Sequence, residues 1–298
     1  MIVTIRNIFI YIIPLLFLIS CRTKTEDIKT KDGTDTLSSI KGNTTKKVKK
    51  IFYTVPSPIE MTHLLQKAKS DYDPEILNPI ENLEKYLTTS QLAVNLGIYG
   101  TDLSYNRIFD QIQSSINYLV VLRKISDKLG IPESEGAFAI SRIEDNINNK
   151  DSVMQIIADT YAGADTYFKE NGRPNIALMI LMGGWTEGIY IAINVAETAK
   201  NKDLVIERIA EQKLSLTNLI ELMKEYIEDK TIQHYYPKFN ELKEIFDKIN
   251  ISYQSGEVKT DTINKITTIS GNSVVDINNE SISLIKNKII EIRNEMIM

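Results

Sequence analysis

Residues 183–190 read Gly-Gly-Trp-Thr-Glu-Gly-Ile-Tyr and lie inside an apolar segment that begins at Pro174 and continues to about Lys200. Proline is well suited to the first position of a helix, so the segment is predicted to be helical. Glycine costs a helix about 1 kcal/mol relative to alanine. Small residues recur here every four positions, at Gly184, Gly188, Ala192 and Ala196. A second backbone can approach such a smooth face closely.

A second glycine-rich segment, residues 95–105, reads Asn-Leu-Gly-Ile-Tyr-Gly-Thr-Asp-Leu-Ser-Tyr. Its flat face is formed by Ala93, Gly97, Gly100 and Ser104. We therefore predict that the two helices cross at close range near the centre of the fold. The alternative is that the missing side chains leave a cavity that binds a ligand. The residues available to line that cavity are Tyr99, Asp102, Tyr105, Trp185, Glu187 and Tyr190.

The rest of the chain from Val55 onward has mainly helical periodicity. Further helices are predicted over Asp73–Tyr86, Leu103–Leu129, a segment capped by Asp151, Val205–Ile227 and Ile282–Met296. The inward apolar face of the helix over Leu103–Leu129 is predicted to consist of Tyr105, Ile108, Phe109, Ile112, Ile116, Leu119 and Val120. Residues 265–277 are expected to form either a small hairpin, with Ser270-Gly271-Asn272 as its turn, or an ordered loop. The predicted fold class is all-α, an antiparallel helical bundle or helical array.

The N-terminus has the features of an export signal. Arg6 is its one charge, and the apolar run Ile8–Ile19 has twelve residues, fewer than the roughly 20 that span a bilayer. The run ends in Leu18-Ile19-Ser20-Cys21, which resembles the lipobox of bacterial lipoproteins, with Ile19 bulkier than the usual residue. The resemblance implies cleavage after Ser20, a lipid on Cys21 and attachment to a membrane.

Three regions are expected from this reading: a signal peptide (1–20), a tether (21–54) and a helical domain (55–298). Residues 22–54 lack apolar periodicity and are predicted to be disordered. They carry nine Lys or Arg and four Asp or Glu, so residues 55–298 have a net charge of −10 within the chain's total of −4. That charge argues against nucleic acid as a partner. The charged segment Arg22-Thr23-Lys24-Thr25-Glu26-Asp27 resembles the sorting signals of some bacterial lipoproteins, and no Asp directly follows Cys21. The resemblance implies the outer membrane of the cell envelope.

Catalytic motifs are scarce in this sequence. There is no Gly-x-Ser-x-Gly elbow and no phosphate-binding loop. Two histidines, His63 and His234, are far apart and make a poor metal site, so each is interpreted as a surface or interface residue. Cys21 is the one cysteine, which excludes a disulfide framework. The sequence predicts no metal and no cofactor.

The favoured function is a non-enzymatic, membrane-tethered module that binds an envelope protein or a small ligand. One alternative is an envelope hydrolase around Asp102 and Glu187, which requires the two acids within hydrogen-bonding distance and a raised carboxyl pKa. A structural subunit of an envelope complex is the other alternative, which a large exposed apolar patch would favour.

Overall fold

The computed structural model describes residues 64, 65, 67–132, 140–261 and 266–298. Over these residues the chain forms two short 3-10 helices, nine α-helices and one two-stranded antiparallel hairpin. The 3-10 helices are Pro74–Ile76 and Ile80–Lys85, and the α-helices are α1 (Thr89–Ile108), α2 (Ile112–Leu129), α3 (Ile140–Asp145), α4 (Lys150–Glu170), α5 (Pro174–Thr198), α6 (Lys202–Glu211), α7 (Lys213–Glu225), α8 (Lys230–Asp247) and α9 (Asn279–Ile297). The strands are β1 (Asn250–Asp261) and β2 (Ile266–Asp276). The predicted all-α array with a small hairpin is confirmed, whereas the signal peptide, the tether and Cys21 lie outside the described residues.

Local sequence signals explain several helix ends. Thr88 and Gln91 form a capping box at the start of α1. Gly130 ends α2 in the left-handed conformation, at φ 70°, and Gly172 has φ 69° in the turn between α4 and α5. Pro174 opens α5. The start and stop positions predicted at Gly130, Gly172 and Pro174 are therefore confirmed.

The long helix predicted over Leu103–Leu129 is wrong, because the chain turns between α1 and α2. Asp110 in this turn has φ 57°, a left-handed conformation that a helix does not contain. The turn lets α2 fold back, so that the Tyr118 hydroxyl donates to the Asn78 carbonyl at 2.9 Å and its ring lies 5.9 Å from that of Tyr99.

Three other predicted elements also differ from the structure. The helix predicted over Asp73–Tyr86 is instead the two 3-10 helices. The helix predicted over Val205–Ile227 is divided into two helices at Gln212. The Gln212 N–H donates to the carbonyl of Ile209, three residues earlier, which tightens the helical turn at this point. Asp151 does not cap α4, because Asn149 does so by accepting from the Ser152 N–H.

The hairpin exists but its turn was predicted in the wrong place. Residues 270–272 lie within β2, where Gly271 pairs with Ser255 and Asn272 with Gln254. The register shifts between Ser255 and Val258, which marks an irregularity in β1. A Ser-Gly-Asn triplet therefore resembles a turn in sequence while lying within a strand.

The centre of the fold is the close crossing of α1 and α5, the most extensive contact between any two helices in the described part of the chain. A Cβ atom on Gly97 would lie 2.0 Å from the Ile180 carbonyl oxygen, and one on Gly183 would lie 2.0 Å from the Val94 carbonyl oxygen. The Thr101 hydroxyl donates across the crossing to the Gly184 carbonyl at 3.2 Å. The predicted close crossing is confirmed. Of the predicted small-residue face, Gly184 lies at the contact and Gly188 does not, and Gly183, which was outside that face, also takes part.

Helix α5 is nearly enclosed by the other helices. Within the described residues it is the one helix long and apolar enough to cross a bilayer, yet 83% of its most apolar window is buried inside the protein. Since a central helix needs apolar residues on all sides, its composition is accounted for by its position in the core.

Helix α2 shows an apolar face to solvent. Ile112, Ile116 and Val120 were predicted to lie inward with Leu119, but they are 41%, 38% and 45% exposed. Their prediction as core residues followed from continuing the period of α1 through the turn at Asp110, and the new helix starts in a different phase. Leu119, by contrast, is buried.

Substituting Gly97 by Ala should lower the free energy of unfolding by about 3 kcal/mol or more, because the methyl group meets the backbone of α5. Gly188 is the matched control, since a Cβ there meets nothing within 4 Å. Gly188→Ala should raise the unfolding free energy by about 0.5–1 kcal/mol through helix propensity. Urea denaturation measures both, and equal effects of the two substitutions would contradict the close crossing.

Candidate functional site

Two acids meet within five residues of the glycine crossing. Asp102 of α1 and Glu187 of α5 are both 0% exposed. Asp102 follows Gly97 by five residues in α1, Glu187 follows Gly183 by four residues in α5, and the two carboxyl groups interact. Two carboxyl groups in an apolar interior repel each other when both are ionised, so the site requires a cation or a proton.

Arg293 of α9 supplies the cation. Its Nε donates to Glu187 Oε2 at 2.9 Å and its Nη2 donates to Glu187 Oε1 at 2.9 Å, the bidentate geometry that suits arginine and carboxylate. Nη2 also donates to the Ile76 carbonyl at 3.0 Å. The guanidinium carbon lies 4.1 Å from the centre of the Tyr190 ring, a cation–π contact.

The charge of Arg293 is maintained in spite of its burial. Removal from water by itself would lower the pKa of this guanidinium, but the attraction and hydrogen bonds of Glu187 outweigh that effect and raise the pKa above its ordinary value. Glu187 and Arg293 therefore form a buried ion pair.

The pKa of Asp102 is raised beside this pair, which favours the protonated form of its carboxyl group. Burial raises the pKa of Asp102 well above its usual range, the adjacent Glu187 raises it further, and Arg293 offsets part of the rise. Asp102 Oδ2 accepts from the Asn78 N–H at 3.2 Å, while Oδ1 meets no donor among the described residues. Because Glu187 is already paired with Arg293, its interaction with Asp102 favours a proton on Asp102. With that proton on Asp102, the three side chains are together neutral.

Polar residues around the trio hold the end of α9. The last carbonyl groups of a helix have no partner within it. Asn95 Nδ2 donates to the Met296 carbonyl at 2.9 Å, and the Tyr86 hydroxyl donates to the Ile297 carbonyl at 3.3 Å. Asn78 joins them, because its Nδ2 donates to the Tyr86 hydroxyl at 3.0 Å and to Asn95 Oδ1 at 3.2 Å. The network therefore fixes the end of α9 against α1.

The six residues predicted to line a ligand cavity divide into two groups. Asp102, Glu187 and Tyr190 meet at Arg293. Tyr99 lies at the edge of this cluster, where it is buried and donates to the Pro79 carbonyl at 2.8 Å.

The other two lie elsewhere in the core. The Tyr105 hydroxyl accepts from the Asp73 N–H at 3.0 Å, its ring stacks on Tyr72 at 5.5 Å, and burial raises its pKa to about 12. The Trp185 ring lies 6.1 Å from Phe239 of α8. Five of the six residues, all but Tyr190, are buried.

Sequence reasoning missed Arg293, Asn78 and Asn95. For Arg293 a signal was available, because it follows Ile289 by four residues and falls on the apolar stripe of the last predicted helix. A lone charge at a buried helical position indicates a buried partner. Asn78 lies between two 3-10 helices, where no periodic pattern identifies it.

The described residues include no group of three or more His, Cys, Asp or Glu side chains placed to hold a metal ion. His234 is 53% exposed and its Nε2 lies 2.5 Å from Glu295 Oε1 across α8 and α9. Its prediction as a surface or interface residue is confirmed, and His63 lies outside the described residues. The Asp102–Glu187–Arg293 trio satisfies the geometry required of the hydrolase alternative, but no surface of its two acids is open to a substrate.

No family model, no curated protein and no solved structure matches this chain.

Replacing Arg293 by Met should lower the unfolding free energy by about 3–5 kcal/mol, because it leaves buried acids without their cation. The double variant Glu187→Leu with Arg293→Met should recover much of that loss, since removing both charges is often neutral. The exposed pair of Arg208 and Glu211 is the control, and Arg208→Met should cost less than about 1 kcal/mol. Strictly additive losses in the double variant would contradict a coupled pair.

The shared proton predicts a pH dependence. The unfolded chain releases the Asp102 proton near pH 4, whereas the folded chain retains it. The unfolding free energy should therefore fall as pH rises above about 4, by up to about 1.4 kcal/mol per pH unit for this group, until the folded-state pKa is passed.

Asp102→Asn has no such proton to release, so its stability relative to the wild type should increase as pH rises. Chemical denaturation at a series of pH values measures the difference. Asp127→Asn, at an exposed position of α2, is the control and should track the wild type. A constant difference between Asp102→Asn and wild type across the series would show that Asp102 is ionised in the fold.

Proposed function

We propose that this chain is a lipid-anchored, non-enzymatic interaction module of the bacterial cell envelope. The observation that carries the proposal is the complete burial of Asp102 and Glu187, with Glu187 bound at both oxygens by Arg293. A general acid or base must reach the proton that it transfers, and these two acids contact only the protein interior. We therefore assign a structural role to these two acids and place the functional site on the protein surface.

The anchor rests on the lipobox resemblance. Cys21 follows Leu18-Ile19-Ser20 and precedes a basic tether. Each buried lipid CH₂ contributes about 0.8 kcal/mol, and stable attachment takes more than one chain, which the lipid of a lipoprotein supplies. A domain held in this way needs no membrane-spanning helix, which agrees with the enclosure of α5 in the core. The outer membrane is the favoured location.

The interaction surface that we favour is the outer face of α2. Ile112, Ile116 and Val120 form an exposed apolar row, and their exposed neighbours Gln113 and Asn117 are uncharged. An anionic lipid surface would be matched by cations along such a row, and none lies between Ile112 and Val120. The occupant is therefore an envelope protein with an apolar groove, which receives residues at helical spacing.

A hydrolase is the second candidate, favoured by one observation. The pKa of Asp102 is raised by burial and by Glu187, a combination that active sites also use. This function requires the helices to open and admit a substrate. A small ligand between α1 and α5 would need the same opening.

The anchor is tested by fractionating cells that express the full chain. Cys21→Ser should shift the protein from the membrane to the soluble fraction and abolish incorporation of labelled fatty acid. Ser20→Ala, which keeps a small residue before the cysteine, should leave both unchanged. Membrane retention of the Cys21→Ser protein would contradict a lipid anchor.

The same preparations test the partner. Native mass spectrometry of the gently extracted protein should show a stoichiometric protein companion, which Ile116→Glu removes. Leu204→Glu is the matched control, because Leu204 of α6 is as exposed as Ile116, at 38%, and it should retain the companion. Loss of the companion in both variants, or a bare wild-type monomer, would contradict docking through α2. A hydrolytic activity that Asp102→Asn abolishes would favour the second candidate.

A further inference from the structure

Two arginines are buried in the described part of the chain, and their environments are opposite. The Arg293 guanidinium is hydrogen-bonded to Glu187 and to the Ile76 carbonyl and lies over the Tyr190 ring. Arg107, near the end of α1, is 1% exposed, yet its Nε and Nη1 have no hydrogen-bond partner. Its nearest acid is Asp110, whose Oδ1 lies 3.9 Å from Nη2, beyond hydrogen-bonding distance.

A buried guanidinium without acceptors is energetically costly. Buried polar groups in native proteins are nearly always hydrogen-bonded, and buried charges are paired. Burial lowers the pKa of Arg107, and Asp110 raises it again only in part. Arg107 therefore has an unfilled requirement for an anion that the described protein groups do not meet.

The surroundings of Arg107 are suited to an anion from outside the chain. Lys150, the first residue of α4, places its Nζ 3.4 Å from Asp110 Oδ2, so two cations from different helices converge on one carboxylate. Asp110 itself is held weakly: its side chain is 68% exposed, and its backbone has φ 57°, a conformation unusual for residues other than glycine. Rotation of this side chain into solvent would leave Arg107 and Lys150 facing the vacated position.

The number of donors indicates the chemistry of the anion. Arg293 binds both oxygens of Glu187 through its Nε–Nη2 edge. In Arg107, by contrast, the donors without a partner are Nε and Nη1, and Nη2 faces Asp110 Oδ1 at 3.9 Å. Together with the Lys150 ammonium, these donors require more than two acceptor oxygens. A carboxylate has two oxygens, whereas a phosphate group offers three strong acceptors and a larger charge.

We propose that Arg107 and Lys150 form a binding site for a phosphate group, which takes the position that the Asp110 carboxylate now holds. The phosphate group belongs either to free phosphate or to the headgroup of a lipid. Asp110 acts as the resident competitor, which the ligand displaces. The site shares no residue with the apolar face of α2, and its test uses phosphate in place of a protein partner, so failure of one proposal is distinguishable from failure of the other.

The test uses inorganic phosphate and the full chain carrying Cys21→Ser, with ionic strength held constant by sodium chloride. Calorimetric titration should show saturable binding with one site. Arg107→Met and Lys150→Met should each weaken it by at least about tenfold, because each removes a charge-assisted contact. Asp110→Asn should strengthen it, since the competing carboxylate is gone. Arg208→Met, at a surface arginine, should bind like the parent protein.

A purely structural role for Arg107 makes a different prediction. In that case phosphate binding would be absent from the parent protein and from Asp110→Asn, or it would be equal in the parent protein and Lys150→Met, and either result overturns the proposal. The Lys150 side chain is 19% exposed and that of Asp110 is 68% exposed. Lys150→Met and Asp110→Asn therefore test the proposed site even if Arg107→Met fails to fold. Stronger binding by Asp110→Asn would not arise from a structural arginine.

Vesicles distinguish the two sources of the phosphate group. Sedimentation with vesicles containing phosphatidic acid, reversed by inorganic phosphate and lost in Lys150→Met, would assign the site to a lipid headgroup with a terminal phosphate. Binding of inorganic phosphate without sedimentation would assign it to free phosphate. Sedimentation equal for the parent protein and Lys150→Met, with no binding of inorganic phosphate, would overturn the site.

Discussion

The close approach of two backbones at Gly97 and Gly183 is the constraint on which the rest of the structure depends. A side chain at either position would meet a carbonyl oxygen of the other helix at 2.0 Å, so the crossing admits only glycine. This contact brings the helix segments that follow it together, and it places Asp102 beside Glu187 in the buried interior of the protein. Arg293, the proton on Asp102 and the docking of α9 all answer the electrostatic problem that the crossing creates.

A buried ion pair of this kind has a cost in the free energy of folding and a benefit in the geometry of the core. Two apolar residues in place of Glu187 and Arg293 could be as stable as the ion pair, because removal of both charges from water is costly. What the ion pair contributes is geometry. Arg293 must satisfy Glu187, the Ile76 carbonyl and the Tyr190 ring at once, and these groups come from two separated parts of the chain, the first 3-10 helix and α5. One arrangement of α9 meets all of these requirements.

Some of this architecture could be predicted from sequence. The glycines at close spacing indicated a crossing, because glycine in a helix is costly without a packing reason. The four-residue period selected Gly184 and Gly188, of which Gly184 lies at the crossing and Gly188 does not, and it missed Gly183. A period identifies a smooth face, but it does not say where along that face, or at what angle, the second helix crosses it.

Other features depend on tertiary structure and left no local pattern. The break at Asp110 occurs in a segment of continuous helical periodicity, because the turn is stabilised by the packing of α2 against Tyr99 and Asn78. Because of this break, Ile116 lies on the surface, whereas it was predicted to lie in the core. Arg293 could have been predicted to be buried, because it is a charge on an apolar stripe. Its partner Glu187 was singled out from the sequence, but its role in an ion pair was not predicted. A carboxylate among small residues suggested a ligand site, and its actual partner lies 106 positions away in the chain.

The central claim is that the buried trio joins α9 to the crossing of α1 and α5, so that the three helices open as one unit. Native-state hydrogen exchange tests it most directly, because it assigns an opening free energy to each amide. The amides around Arg293 should exchange with the same free energy as those around Gly97 and Gly183. Arg293→Met should lower the value in α9 well below that of the crossing. Exchange of α9 by independent fraying in the wild-type protein would contradict the account.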